Sequence, residues 1–202
     1  MDDKDTIRGL ASAARQKQPD ALATSRIITD RLMNLGVYQR AECVLWYVGV
    51  RHEVATRQAL PAALAEGTRT VVPYCLGERL ELFRLTKMDQ LTRGAYGIPE
   101  PVSALRENPE FRLDAAELDL VVVPGVAFDV HGGRLGHGQG YYDRLLAGVR
   151  RRTVLVGIAF DCQIVDRVPV EDHDVRMDVL VTQSRTVFCR EQGGLHVGDE
   201  AC

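Results

Sequence analysis

The segment RLGHGQGYYDRLL, Arg134–Leu146, gathers the chain's densest set of chemistry-bearing residues. Gly136, Gly138 and Gly140 alternate with His137 and Gln139, and Tyr141, Tyr142 and Asp143 follow directly. Glycine adopts positive φ without strain and lets a ligand approach the backbone closely. A helix starting near Tyr141 would offer unpaired N–H groups and a partial positive charge to an anion. Arg134 adds a guanidinium suited to paired contacts with phosphate oxygens. The combination favours a bound phosphate. Asp143, in the helix's first turn, either complements the helix dipole or holds a magnesium ion, which takes one or two carboxylates together with phosphate oxygens and water. The run PVEDHDVRMD supplies further acids, Glu171, Asp172, Asp174 and Asp178, in a pattern that is ordinarily a solvated turn.

Two familiar phosphate motifs do not fit. No Gly-Lys-Ser/Thr follows any of these glycines, so the P-loop is absent. The dinucleotide pattern G-x-G-x-x-G fails because Tyr141 stands at its third glycine, although Asp161 lies about where a ribose-binding acid would be expected. A redox enzyme built on that motif is therefore a weak alternative.

These residues need a scaffold. Residues 4–17 have a helical apolar stripe of Ile7, Leu10, Ala11 and Ala14. Lys4 and Arg8 lie one turn apart on another face, with Arg15 two turns beyond Arg8. Pro19 ends this helix, and a second is expected over Asp20–Asn34, with Leu22, Ile27, Leu32 and Leu35 inward and Gly36 as its stop. Cys43–Val50, Arg69–Cys75, Arg79–Leu85, Asp119–Phe128, Thr153–Phe160 and Met177–Thr182 read as strands, and residues 54–66 as a helix ended by Gly67. In Gly97–Pro101 (GIPEP) the prolines enforce an extended segment. Strands alternating with helices predict an α/β three-layer sandwich, with a largely parallel or mixed central sheet and helices on both faces. Residues 1–189 are expected to form a single domain, with 190–202 a polar, flexible tail.

Bulk properties narrow the partners. A formal charge of −3 gives no general attraction to nucleic acid or anionic membrane. No apolar run approaches the roughly 20 residues of a membrane helix, and the charged N-terminus lacks a signal core. Five scattered cysteines without a C-x-x-C pair argue against a disulfide framework or zinc site. Cys43 and Cys75, in strand-like runs, read as small buried thiols. A monomer in a reducing cytoplasm, acting on small molecules, is the default.

The glycine segment, extended to PGVAFDVHGGRLGHGQGYYDRLL, resembles the signature of the 5-formyltetrahydrofolate cyclo-ligase (5,10-methenyltetrahydrofolate synthetase) family. The helix bearing Lys4 and Arg8, HEVAT around Glu53, GIPEP, and VPVEDHDVRMD follow in that family's order, covering about Lys4 to Thr182. The resemblance implies an ATP-dependent ring closure of 5-formyltetrahydrofolate. It implies ATP contacts from Lys4, Arg8, Arg134, Leu135, Gly136, His137, Gly138, Gln139, Gly140, Tyr141 and Tyr142. Substrate contacts would come from Val48, Glu53, His137, Gly138, Gln139, Gly140 and Tyr141, with Tyr96, Pro99 and Glu100 near the pocket. Arg134 and Tyr141 would be catalytic, and Asp143 and Asp174 would hold Mg2+. Two positions depart from the pattern. Gln139 stands where some members carry lysine, with Arg144 a candidate to supply the missing charge. His137 replaces an aromatic or arginine residue. The Gln139 substitution also motivates a second reading, a binding-only regulator on the same fold.

Overall fold

The computed structural model describes residues 3–94, 97–171 and 174–189. Tyr96, Asp172, His173 and the tail from Arg190 lie outside the described residues. In chain order the elements are α1 (Lys4–Gln16), α2 (Ala21–Met33), α3 (Gly36–Gln39), β1 (Cys43–Leu45), α4 (Leu60–Ala65), β2 (Arg69–Leu76), β3 (Arg79–Leu85), β4 (Leu91–Arg93), β5 (Pro99–Pro101), α5 (Ser103–Arg106), β6 (Arg112–Leu113), β7 (Leu120–Val123), β8 (Ala127–Phe128), β9 (Arg134–Leu135), α6 (Tyr141–Leu146), β10 (Val154–Ile158), β11 (Val179–Val181) and β12 (Thr186–Phe188).

Eight strands form the main sheet in the order β12-β11-β10-β7-β1-β2-β3-β6. From β11 to β2 the pairings are parallel, while β12, β3 and β6 join antiparallel at the edges. The sheet is thus mixed, with a parallel centre. Its central strands are continuous apolar runs because both faces are covered. Val44, Val72, Val122 and Val156 pack beneath Ile28 and Leu32 of α2 and Leu60 of α4. Leu45, Val71, Val121 and Leu155 face Leu145 and Leu146 of α6. Helix α1 stands apart from both layers, setting Ile7 and Ala11 against Val126, Ala127 and Leu135 around the β8–β9 hairpin. Among the described residues no helix is long and apolar enough to cross a membrane.

Several expectations are corrected. Leu10 of α1 is exposed. In α2, Leu22 and Ile27 are 63% and 51% exposed, while Ser25, Ile28, Thr29 and Leu32 face inward. Ser25 tolerates burial because its hydroxyl donates to the Ala21 carbonyl and accepts from the Ala55 N–H, at 2.6 and 2.9 Å. Asn34 caps α2, and Gly36 opens α3 instead of stopping a helix. Ladder pairing of the first strand ends at Leu45, and residues 54–66 divide into a 3₁₀ turn and a short α4. Cys75 is exposed, unlike the buried Cys43. Edge strand β12 is an addition to the expected set. The glycine loop follows the β8–β9 hairpin, not β7 directly.

Candidate active site

A cleft of about 890 Å³ opens at the carboxyl ends of β1 and β7. This is where parallel α/β sheets receive ligands, because strand ends and helix starts leave backbone groups unpaired there. Helix α1, the glycine loop and the β2–β3 hairpin form its walls. Lys4, Arg8, Val48, Glu53, every residue from Arg134 to Asp143, and Asp174 line it. Glu100 also lines it, although its carboxylate pairs with Arg106 at 2.9 Å. Pro99 pairs with Arg93 across β4 and β5 and is not among the lining residues. Asp161 is likewise outside the lining and accepts from the Ser184 hydroxyl at 2.8 Å, which removes the ribose-acid alternative.

The loop is anchored from behind by a buried carboxylate. Asp129, 1% exposed, accepts from the N–H groups of His131 (2.8 Å), Gly133 (3.0 Å) and Val168 (2.8 Å). A Cβ at Gly133 would lie 2.4 Å from Asp129 Oδ2, so only glycine allows this close turn. The turn delivers Arg134 into β9. Its side chain is 5% exposed, ion-paired with Asp143 Oδ1 and reaching the Pro124 carbonyl at 3.4 Å. Gly138 and Gly140 take φ of +88° and +66°, the left-handed region that favours glycine. Arg8 Nε donates to the Gly136 carbonyl at 3.0 Å and so clips α1 to the loop.

Arg144 meets the loop from α6. It donates to the Gln139 carbonyl at 3.1 Å, and its guanidinium lies 5.3 Å from the centre of the Tyr141 ring. A cation therefore stands beside Gln139. The Tyr141 hydroxyl donates to the Gly77 carbonyl at 3.3 Å, joining the loop to the β2–β3 hairpin tip. The Tyr142 hydroxyl is buried without a hydrogen-bond partner among the described residues, and burial pushes its pKa well above the usual phenol range.

Glu53 is held in the turn after β1, where its Oε2 accepts from the Val50 N–H at 3.1 Å. Its Oε1 lies 3.5 Å from His137 Nε2. At the far end of α1, Lys4 Nζ sits 2.7 Å from Glu171 and 3.5 Å from Asp174. The bond to Glu171, ahead of the charge of Asp174, raises the Lys4 pKa. Asp174 also accepts from the Glu171 N–H at 2.8 Å.

The donor set suits a magnesium ion carried largely by phosphate. Among the described residues no group of three or more His, Cys, Asp or Glu side chains is arranged to hold a metal. Asp143 and Asp174 nevertheless line one cleft, and magnesium needs only one or two carboxylates when phosphate and water complete its octahedron.

Sequence reasoning left Arg15, Tyr47, Tyr74, Cys75 and Pro124–Gly125 without a role, yet all line the cleft. For Arg15 a signal existed in its spacing two turns beyond Arg8. The others sit in apolar strand sequences that read as core.

The 5-formyltetrahydrofolate cyclo-ligase family profile matches residues 1–183. A probable 5-formyltetrahydrofolate cyclo-ligase of Schizosaccharomyces pombe is 30% identical over 91% of this chain and 97% of that protein. The 5-formyltetrahydrofolate cyclo-ligase of Escherichia coli K12 is 30% identical over 88% of this chain and 94% of its own. The solved 5,10-methenyltetrahydrofolate synthetase of Aquifex aeolicus superposes with a TM-score of 0.82, at 31% identity and 96% coverage of both chains. With the match running from α1 through β11 and including the whole cleft, the chain belongs to the 5-formyltetrahydrofolate cyclo-ligase family.

Proposed function

We propose that the protein uses ATP to close 5-formyltetrahydrofolate to 5,10-methenyltetrahydrofolate, releasing ADP and phosphate. The formyl oxygen attacks the γ-phosphorus, and the bond from that phosphorus to the β,γ-bridging oxygen breaks, leaving ADP. The neighbouring 10-nitrogen then bonds the activated formyl carbon and loses its proton. The carbon–oxygen bond breaks and phosphate departs. Formamide oxygen is a poor leaving group and phosphate a good one, so the protein's task is to position two substrates and stabilise phosphoryl charge.

One observation carries this reading. Lys4 and Arg8, Glu53, and the Arg134–Asp143 loop, distant in sequence, converge on a single cleft. In this reading Lys4, Arg8 and the backbone N–H groups of the loop hold the triphosphate. Arg134 and Tyr141 face the transferring group. Glu53 accepts ring N–H groups of the pterin beside Val48 and His137. Asp143 and Asp174 would hold Mg2+, whose contribution is to neutralise phosphate charge. Binding ATP would then draw Asp143 partly away from Arg134 and free that guanidinium for phosphate.

The proposal extends to a one-domain monomer over residues 1–189, acting in the cytoplasm on small molecules, with neither nucleic acid nor membrane as partner. The unpaired state of Cys43, Cys75, Cys162 and Cys189 suits a reducing compartment. The test is the near-ultraviolet absorbance of the methenyl product with 5-formyltetrahydrofolate, magnesium and ATP. An ATP-dependent rise, lost in folded Asp143→Ala, supports it. Folded wild-type protein that gives no rise overturns it in favour of a binding-only role.

A further inference from the structure

Arg15, in the last turn of α1, lines the cleft while only 7% exposed. A guanidinium keeps its charge in proteins, and an unpaired charge out of water is costly. Among the described residues Arg15 makes no ion pair. Its Nη1 donates to the Gly125 carbonyl at a long 3.4 Å, and its Nε has no partner. Two acids share a neighbour with Arg15: Glu53, which like it acts on the Tyr47 hydroxyl, is bonded to the Val50 N–H and faces His137, and Asp161, which like it acts on the Cys162 thiol, accepts from the Ser184 hydroxyl.

Arg134 repeats the arrangement. Its Nε also lacks a partner, and its Nη1 reaches the Pro124 carbonyl at 3.4 Å. Two buried guanidinium groups thus reach adjacent carbonyls of one dipeptide at the carboxyl end of β7, inside the cleft. Arg134 has Asp143 as counter-ion; Arg15 makes no such pair. Like charges gathered away from water repel, and an anion between them offsets that cost. Helix α1 gives the register. Lys4, Arg8 and Arg15 all face the cleft, and Arg15 lies about 16 Å from Lys4 along the axis at about 1.5 Å per residue. Lys4 stands by Asp174, Arg8 by the glycine loop, and Arg15 by the strand end.

We propose that Arg15 is a phosphoryl-binding residue. Together with Arg134 it takes the terminal phosphoryl group of the nucleotide through transfer and then the phosphate ion. Arginine suits this role because its planar fork meets two phosphate oxygens at once. The proposal rests on the cyclo-ligase reading for the identity of the anion.

The experiment compares ADP with adenosine 5′-(β,γ-imido)triphosphate by calorimetry, in wild-type protein and in Arg15→Gln and Arg15→Lys, alongside turnover. Wild-type protein should bind the triphosphate analogue more tightly. In Arg15→Gln that preference should collapse with ADP affinity held, and kcat should fall about 100-fold, as when one donor to a developing charge is removed. Arg15→Lys, keeping the charge but not the fork, should fall between. An unchanged preference overturns the proposal, whatever happens to kcat. Equal weakening of both nucleotides, or failure of both variants to fold, makes Arg15 a structural residue and overturns it as well. If folded wild-type protein forms no methenyl product, the cyclo-ligase reading fails, and the nucleotide comparison still judges the Arg15 site separately.

Discussion

Replacing Asp129 with asparagine probes how the loop is held. In the native protein Oδ1 accepts two N–H groups, from His131 and Gly133, and Oδ2 accepts one from Val168. Asparagine keeps the shape but turns one oxygen into a donor. In either orientation of the amide, an NH2 meets at least one buried N–H head on. A hydrogen bond to a charged group is worth about 1.5–3 kcal/mol, and leaving a buried donor unsatisfied adds to its loss. Asp129→Asn should therefore destabilise the protein by about 3 kcal/mol. At a urea slope of about 2 kcal/mol/M the unfolding midpoint falls by about 1.5 M. In a thermal scan the loss is about 6–12 °C. Because the same turn delivers Arg134, ADP affinity should fall in parallel under conditions where the variant is folded. A midpoint shift below about 0.3 M would refute the energetic argument. A large shift with ADP affinity intact would show that the carboxylate stabilises the fold without positioning the loop.

Three further outcomes are expected. Gly140→Ala places a Cβ at φ +66° and 2.9 Å from Arg144 Nη1, a conformation costing about 1–2 kcal/mol for an L-residue, so ADP binding in calorimetry should weaken by about tenfold. Glu53→Gln keeps the shape of a side chain anchored on the Val50 N–H, yet removes the charge that the proposed function sets against the pterin. The KM for 5-formyltetrahydrofolate should rise by about tenfold with ADP affinity unchanged. Tyr38→Phe concerns stability alone. Burial, then the charge of Glu66, pushes the Tyr38 phenol from 10.0 up to about 12. The unfolded chain loses this proton first, so the native state holds more protons and stability falls as pH rises between those values. Tyr38→Phe should flatten that alkaline decline in urea titrations. Near neutral pH it should change stability by no more than about 0.5 kcal/mol, because among the described residues the buried hydroxyl makes no well-formed hydrogen bond, Trp46 being its one weak polar contact.

The loop was legible in the sequence because its requirements are local. Glycine at positive φ, an arginine before it and an acid in the following helical turn are properties of neighbouring residues, and Gly138, Gly140, Arg134 and Asp143 show them in place. The parallel centre of the sheet was legible for a similar reason, since only strands buried on both faces read as unbroken Val and Leu runs such as Leu120–Val123. The inward face of α2 was not. Ser25 and Thr29 are buried and Leu22 and Ile27 exposed because carbonyls one turn back in α2 take both hydroxyl protons and the distant Ala55 N–H donates to Ser25, and hydrophobic periodicity carries no information about such partners. The hidden anchoring of the loop by Asp129 through Val168, and the meeting of Arg15 and Arg134 at Pro124–Gly125, depend on the same kind of long-range contact. Sequence by itself determined the chemistry available and the segments that carry it. Tertiary structure decided which charges lost their water and which of those found a partner, because burial and pairing belong to the packed chain and not to any stretch of it.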